Sequence, residues 1–258
     1  MAVPLKEQRQ QLILEALQGN GQVTVTELSR RFGVSEVTVR RDLRELHARS
    51  LLRRAHGGAV AAPLQTADLP VLQRMKHGTR LKESIGRAAA ALIEDGEAVL
   101  LGSGSTTSFV ARHLTSRRGL TVITNALTVA MELAGAPGVT VVLTGGVLRP
   151  SELSLIGHIA EQSLREVRVD KVVIGIPAIS AEAGLTNDYL PEVMTDRTII
   201  QMSRQVIVVA DHTKFGRVAS AYLAPLERVS ILVTDAEADP AQVAQFEQRG
   251  IRVLVAER

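Results

Sequence analysis

The sequence predicts an α/β protein in two parts: a small N-terminal winged helix-turn-helix domain and a larger C-terminal α/β domain with a mostly parallel sheet. Three observations predict it. Within the first sixty residues a helix, a glycine turn and a second helix precede a hairpin with paired glycines. The charge is lopsided, with ten Lys/Arg against six Asp/Glu up to residue 60 (+4) and twenty against twenty-one in the remainder (−1). Beyond about residue 98, short Val/Ile/Leu runs alternate with stretches of helical period, as strands covered on both faces require.

Bulk properties narrow the class. At 258 residues with 45% apolar residues the chain can build a real core, and with 2% aromatics that core must be aliphatic. The absence of Cys removes disulfides, thiolate nucleophiles and cysteine metal sites, which suits a reducing compartment. Met1–Gln10 carries Lys6, Glu7 and Arg9 without an apolar stretch, so no signal peptide is expected. No run approaches the roughly 18 apolar residues of a membrane span. The expectation is a soluble, cytoplasmic protein with no membrane partner, no cofactor and no metal.

Leu5–Gln18 reads as a helix stopped by Gly19-Asn20-Gly21, followed by a short extended piece, Gln22–Val25. Thr26 is expected to cap Glu27–Phe32, Gly33-Val34 to turn the chain, and Ser35 to cap a helix running to about Ala48. At about 100° per residue, Val39, Leu43 and Leu46 share one face of that helix. Val37, Arg40, Arg41 and Arg44 fall opposite, and with Ser35 and Thr38 they form the candidate DNA-reading set. Arg pairs with guanine edges or phosphates, and Val touches a thymine methyl. The alternative is a merely solvated basic face. Leu51–Val60 reads as two short strands joined near Gly57-Gly58, a wing on which Arg54 and His56 meet DNA or, for His56, orient the turn.

Residues 61–78, with Pro63 and Pro70 and no clean period, read as a linker. A helix follows from Arg80 and ends at Asp95-Gly96. Strands are expected at Val99–Leu101, Leu120–Thr124, Val139–Leu143, Lys171–Ile176, Gln205–Ala210, Val229–Thr234 and Ile251–Val255. Helices are expected at Thr106–Leu114, Ala126–Ala134, Ile159–Glu166, Glu192–Met202 and Pro240–Arg249. Ligands of such sheets collect at the carboxyl ends of strands.

The key stretch sits at one of those ends. Ser103-Gly104-Ser105-Thr106-Thr107 joins an apolar strand to a helix start, where unpaired N–H groups, the helix dipole and hydroxyls together favour a phosphate. An ordinary capped turn is the competing reading. Asn125 closes the next strand and either caps a helix or meets a ligand oxygen. Gly145 and Gly146 close the third and allow close backbone approach or simply turn the chain. Lys214, in Asp211–Gly216, offers a point charge to a phosphate unless it is only solvated.

Val25–Ser29, Val34-Ser35-Glu36-Val37-Thr38-Val39-Arg40-Arg41-Asp42-Leu43 and Arg54-Ala55-His56-Gly57-Gly58-Ala59 resemble the signature of DeoR-type bacterial transcription repressors. The resemblance continues through Ser103–Thr107, Thr124-Asn125-Ala126, Gly145-Gly146, Gly184-Leu185-Thr186, Glu192 and Asp211-His212-Thr213-Lys214-Phe215-Gly216, in the family's order and over nearly the whole chain. It implies that residues 1–60 bind DNA and that 79–258 sense a sugar phosphate and oligomerise, with a fold like ribose-5-phosphate isomerase. It further implies that Ser103–Thr107 cradle the effector phosphate while Lys214 and Asn125 approach the sugar. Lys82 matches a position often basic in the family. Gly102 stands where the family commonly has Asp, and Ala178 where it commonly has Gly, so effector identity does not carry over.

The expected function is a repressor of carbohydrate-metabolism genes, working as a homodimer or homotetramer on double-stranded operator DNA and modulated by a phosphorylated sugar. The alternative is an isomerase with an added N-terminal module. It is disfavoured because Gly175-Ile176-Pro177-Ala178-Ile179 lacks the acids proton transfer needs, leaving only Asp188 and Glu192 nearby. A protein-docking role for the N-terminal domain is disfavoured by its outward arginines.

Overall fold

Apolar spacing in the first sixty residues builds a small core of its own. In the computed structural model, which describes residues 6–20, 22–48, 52–55, 57–61 and 69–257, the chain divides into two units, Met1–Asp68 and Leu69–Arg258. The first contains α1 (Lys6–Asn20), β1 (Gln22–Thr24), α2 (Val25–Phe32), α3 (Glu36–Ala48), β2 (Leu52–Ala55) and β3 (Gly58–Ala61). The strands form an antiparallel sheet in the order β1-β3-β2. Ile13, Leu17, Leu28, Phe32, Val39, Leu43, Leu46 and Leu52 fill the space between helices and sheet. Gly58 is required here, because a Cβ would stand 2.1 Å from the Val23 carbonyl oxygen on the neighbouring strand.

Local capping departs from expectation at one place. Thr24, not Thr26, caps α2 by accepting from the Glu27 N–H at 3.2 Å. The helix starts two residues earlier than the sequence suggests because Val25 is buried in the core. Thr26 instead donates its hydroxyl to Glu36 at 2.9 Å. Gly33 closes α2 in the left-handed region and Ser35 accepts from the Thr38 N–H, as expected. A buried ion pair ties α1 to α3: Arg9 Nε and Nη2 donate to the two Asp42 oxygens at 2.5 and 3.2 Å.

The second unit is organised by a seven-stranded, wholly parallel sheet. Its strands are β4 (Ala98–Leu101), β5 (Leu120–Thr124), β6 (Val139–Leu143), β9 (Lys171–Gly175), β12 (Gln205–Val209), β14 (Ile231–Asp235) and β15 (Arg252–Ala256). The order is β15-β14-β12-β9-β4-β5-β6, and every expected strand falls in it. Period-two alternation sends side chains to two cores. Val99, Leu101, Val122, Val173 and Val209 pack with α5 (Thr79–Ala90), α6 (Ser105–Arg112) and α7 (Leu127–Leu133). Leu100, Ile123, Val172, Ile174 and Val208 pack with α8 (His158–Arg165), α9 (Leu190–Gln201) and α10 (Pro240–Gln248).

Other elements lay outside the expectation. Antiparallel β7 (Val147–Arg149) and β8 (Ser154–Ile156) follow β6, and β10 (Ala178–Ser180), β11 (Gly184–Asn187) and β13 (Ala221–Ala224) form a small sheet. At three or four residues each they are too short to show a period. The linker reading of 61–78 also needs correction: Val71–Lys76 form a helix, α4, belonging to the second unit. Val71 is fully buried and its N–H donates to the Ser151 carbonyl at 2.7 Å, while Arg74 pairs with Glu152. Six residues are too few for a legible helical period.

Asp42→Ala tests the N-terminal frame. Removing the carboxylate from the buried Arg9 guanidinium is expected to cost about 3 kcal/mol. Hydrogen exchange of α1 and α3 amides should accelerate accordingly, and unchanged protection would show that the pair contributes nothing to stability.

Candidate functional site: a basic helix face and the loops at the sheet's switch point

On α3 the buried face leaves the other free. Val37 is 76% exposed, and Arg40, Arg41 and Arg44 are exposed beside it. Arg40 contacts Glu36 at 3.3 Å and Arg41 contacts Glu45 at 3.5 Å, both surface pairs that a phosphate can displace. Ser35 and Thr38 share a hydroxyl contact of 2.9 Å at the helix start. Arg54 lies on β2 opposite Ala59, with its side chain outside the described residues. His56 lies outside them altogether.

In the parallel sheet, β5 and β6 lie to one side of β4, whereas β9, β12, β14 and β15 lie to the other. The β4–β9 junction is therefore the switch point, where the loops leaving adjacent strands diverge and open a crevice. Gly102-Ser103-Gly104 leaves β4 there and turns into α6. Gly104 takes φ +135, closed to other residues, and α6 starts with no side chain on its first N–H groups. The N–H groups of Ser105, Thr106 and Thr107 thus open the helix without intrahelical acceptors. The Thr107 hydroxyl turns inward to the Gly104 carbonyl at 2.8 Å, so only its backbone faces this end. A Cβ at Gly102 would come within 3.2 Å of Ile174, which makes that position tight for an Asp. Ala178 is buried on β10, paired with Thr186.

Asn125 does not cap α7; Ala126 occupies that position. Its Nδ2 donates to the Leu155 carbonyl at 3.2 Å, and Oδ1 is fully buried with no hydrogen-bond partner among the described residues. Gly145 and Gly146 serve packing: a Cβ would meet Ile159 at 2.9 Å and the Ile156 carbonyl oxygen at 2.8 Å respectively. The close approach they permit is to β8 and α8.

Lys214 ends a 3-10 turn after β12 and is buried. Burial pushes its ammonium down to about 8, only partly opposed by Asp211. Lys82 is also buried and lowered for the same reason, and donates to the His77 carbonyl just beyond α4. Arg74 and Asp211 act on both lysines, Asp235 also acts on Lys82 and Arg217 on Lys214, so four cations stand against Asp211, Asp235 and the Glu152 that pairs with Arg74. Such a site favours an incoming anion.

A second cluster escaped sequence reasoning. Glu192 is buried, accepts from Ser154 at 2.7 Å, pairs with Arg149 and lies 3.5 Å from the Ser103 hydroxyl. Arg149 stacks on Tyr189 at 4.1 Å. Glu152, paired with Arg74, and Asp196, held by Asn187 at 2.9 Å, complete it. Both carboxyls are raised, first by burial. Glu192 carried a family signal, but Arg149 and Glu152 fell in an apparent loop and Arg74 in the apparent linker. His212, Asp235 and Glu237 bring three potential metal-ligand atoms within 4.8 Å of one another. Asp235 already accepts the His212 and Glu237 N–H groups at 2.8 and 2.9 Å, so it fastens the two loops together.

Comparison with known proteins follows this division. The DeoR-like helix-turn-helix domain model matches residues 9–63, and the DeoR C terminal sensor domain model matches 78–236. The transcriptional repressor AccR of Agrobacterium fabrum is 37% identical over 89% of each chain. The glycerol-3-phosphate regulon repressor of Escherichia coli is 36% identical over 92% of this chain and 94% of its own. The HTH-type transcriptional repressor GlcR of Bacillus subtilis is 33% identical over 98% and 97%. Ribose 5 phosphate isomerase A from Neisseria gonorrhoeae matches with a TM-score of 0.39 and 15% identity over 52% of each chain.

The depressed lysine gives a signed pH test. Between about 8 and the ordinary 10.5, the folded chain binds fewer protons at Lys214 than the unfolded chain does. Stability from this group therefore rises with pH across that window and reaches its full value above 10.5. Lys214→Met should flatten the rise in urea midpoint between those pH values, leaving the smaller contribution of Lys82; an identical slope in the variant would refute the assignment.

Proposed function

This chain belongs to the DeoR family of DNA-binding transcriptional regulators, and we propose that it represses carbohydrate-metabolism genes through an operator released or retained according to a phosphorylated sugar. The observation that carries the DNA half is the exposed Val37-Arg40-Arg41-Arg44 face of α3, opposite the buried Val39-Leu43-Leu46 face. Inserted in a major groove, that face offers guanidiniums to phosphates and guanine edges, with Ser35 and Thr38 at the helix start beside the backbone. Arg54 and His56 on the wing contact the flanking backbone. A single winged helix reads only a few base pairs, so the repressor works in the cytoplasm as a homodimer or homotetramer on paired half-sites.

In the sensor, Ser103–Thr107 hold the effector phosphate at the start of α6, Lys214 and Lys82 neutralise it, and Asn125 meets the sugar. Gly145 and Gly146 shape the wall behind it. Effector binding shifts the balance between operator-competent and operator-incompetent arrangements. Isomerase activity is not expected, because the Gly175–Ile179 segment offers no carboxylate base.

Fluorescence anisotropy of DNA from the gene's own upstream region, titrated with the protein, tests both halves. Tight, salt-sensitive binding altered by sugar phosphates is expected. No binding at low salt would overturn the DNA assignment. Arg41→Ala should weaken binding about tenfold and lower the salt slope by about one. An unchanged slope removes Arg41 from the interface. Ser105→Leu with Thr106→Leu should abolish the effector response and spare DNA binding; a retained response puts the ligand elsewhere.

A further inference from the structure

The pair between Arg74 and Glu152 is one-sided. Arg74 Nη2 donates to one Glu152 oxygen, while Arg74 Nε is buried with no hydrogen-bond partner among the described residues. A guanidinium presents its nitrogens as a fork that matches two oxygens of a carboxylate or phosphate, and a buried donor left bare is costly. Glu152 therefore holds Arg74 without completing it.

Arg74 also stands at a junction. It lies on α4, which packs directly on α6, the helix whose start carries the free N–H groups. Burial lowers the ammoniums of Lys82 and Lys214; Asp211 opposes the shift, and the Arg74 charge adds to it at each lysine. Arg74 thus belongs to the same cationic field as the two lysines. Two further bonds hold the ends of α4. The Val71 N–H donates to the carbonyl of Ser151, the neighbour of Glu152 in the β7–β8 turn, and Lys82 donates to the His77 carbonyl just past the helix. α4 is the first helix of the unit Leu69–Arg258, so the chain meets it first after the DNA-reading unit.

We propose that Arg74 is an effector contact that passes occupancy along the chain toward the DNA-reading unit: the ligand phosphate takes the Arg74 fork, Glu152 is released, and α4 exchanges its hold on the β7–β8 turn for one on the start of α6. This rests on the effector site proposed above. The released carboxylate is not stranded. Burial already pushes the Glu152 carboxyl up against the pull of Arg74, and the charge of Glu192 pushes the same way. Without Arg74 it takes a proton from solvent, and the phosphate replaces its charge among the cations.

Amide-resolved hydrogen exchange and calorimetric titration of the full-length protein test this, with inorganic phosphate, glycerol 3-phosphate and glucose 6-phosphate as probes. Saturating probe should slow exchange at Ser105–Thr107 and speed it about threefold or more at the Val71 amide. Arg74→Gln should weaken the tightest probe about tenfold or more, the loss of one charge-assisted hydrogen bond, and leave the Val71 amide unresponsive at saturation. Glu152→Gln removes the competitor, so the same probe should bind about threefold or more tighter, with the Val71 amide fast before any probe is added. A merely structural ion pair would give unchanged or weaker binding in Glu152→Gln, and that result, or unchanged affinity in Arg74→Gln, removes Arg74 from the ligand. If Arg74→Gln does not fold, Arg74→Lys keeps the charge without the fork; wild-type affinity there overturns the contact. Slowed exchange at Ser105–Thr107 with no change at Val71 overturns the exchange of partners and leaves the effector site standing. No change at Ser105–Thr107 with any probe overturns the effector site, and this proposal with it.

Discussion

A parallel sheet must carry its chain back outside the sheet after every strand, and wherever successive strands are added on opposite sides a gap opens at the carboxyl ends. In this chain the gap falls between β4 and β9. The loop from β4 supplies the glycine turn and the bare start of α6, Asn125 follows directly on β5, and the turn after β12 brings Lys214. No one of these segments is remarkable for its composition. Topology alone brings them to the same end of the sheet, and the aliphatic cores on both faces hold them there.

The polar interior of the sensor is costly and is kept near that gap. Burial disfavours the charged forms of Lys82, Lys214, Glu152 and Asp196 alike. A chain selected for stability alone would replace such groups with apolar ones. Such buried ionisable groups cluster at functional sites, which is what supports the proposed effector site. In the N-terminal unit the economy differs. There a buried pair, Arg9 with Asp42, fixes α1 against α3, and the other charges of α3 among the described residues lie at or near the surface.

Periodicity made the seven strands of the large sheet and its flanking helices legible, because each element is long and apolar enough to repeat its pattern. It also separated the buried from the exposed face of α3, where Val39, Leu43 and Leu46 are almost wholly enclosed. What stayed hidden had no local signal. Arg149 and Glu192 are 43 residues apart, and Arg74 and Glu152 are 78 apart. Only the folded sheet brings them together. The three- and four-residue strands of the accessory sheets, and the six-residue α4, are fixed by tertiary contacts such as the Val71 bond to Ser151. The cap at Thr24 was missed for a related reason: the burial of Val25, which brings the helix start forward to Thr24, is a tertiary effect.

The apolar clusters draw on separate stretches of sequence. The cluster of the N-terminal unit runs from Ile13 to Ala59, whereas the two flanking the large sheet begin at Ile85 and Leu100. In evolutionary terms the chain is a cassette: a DNA-reading module and a sensor module, each with an apolar core of its own, can change on separate schedules. New regulons can then be acquired by swapping one end, while the chemical signal that governs them stays the same.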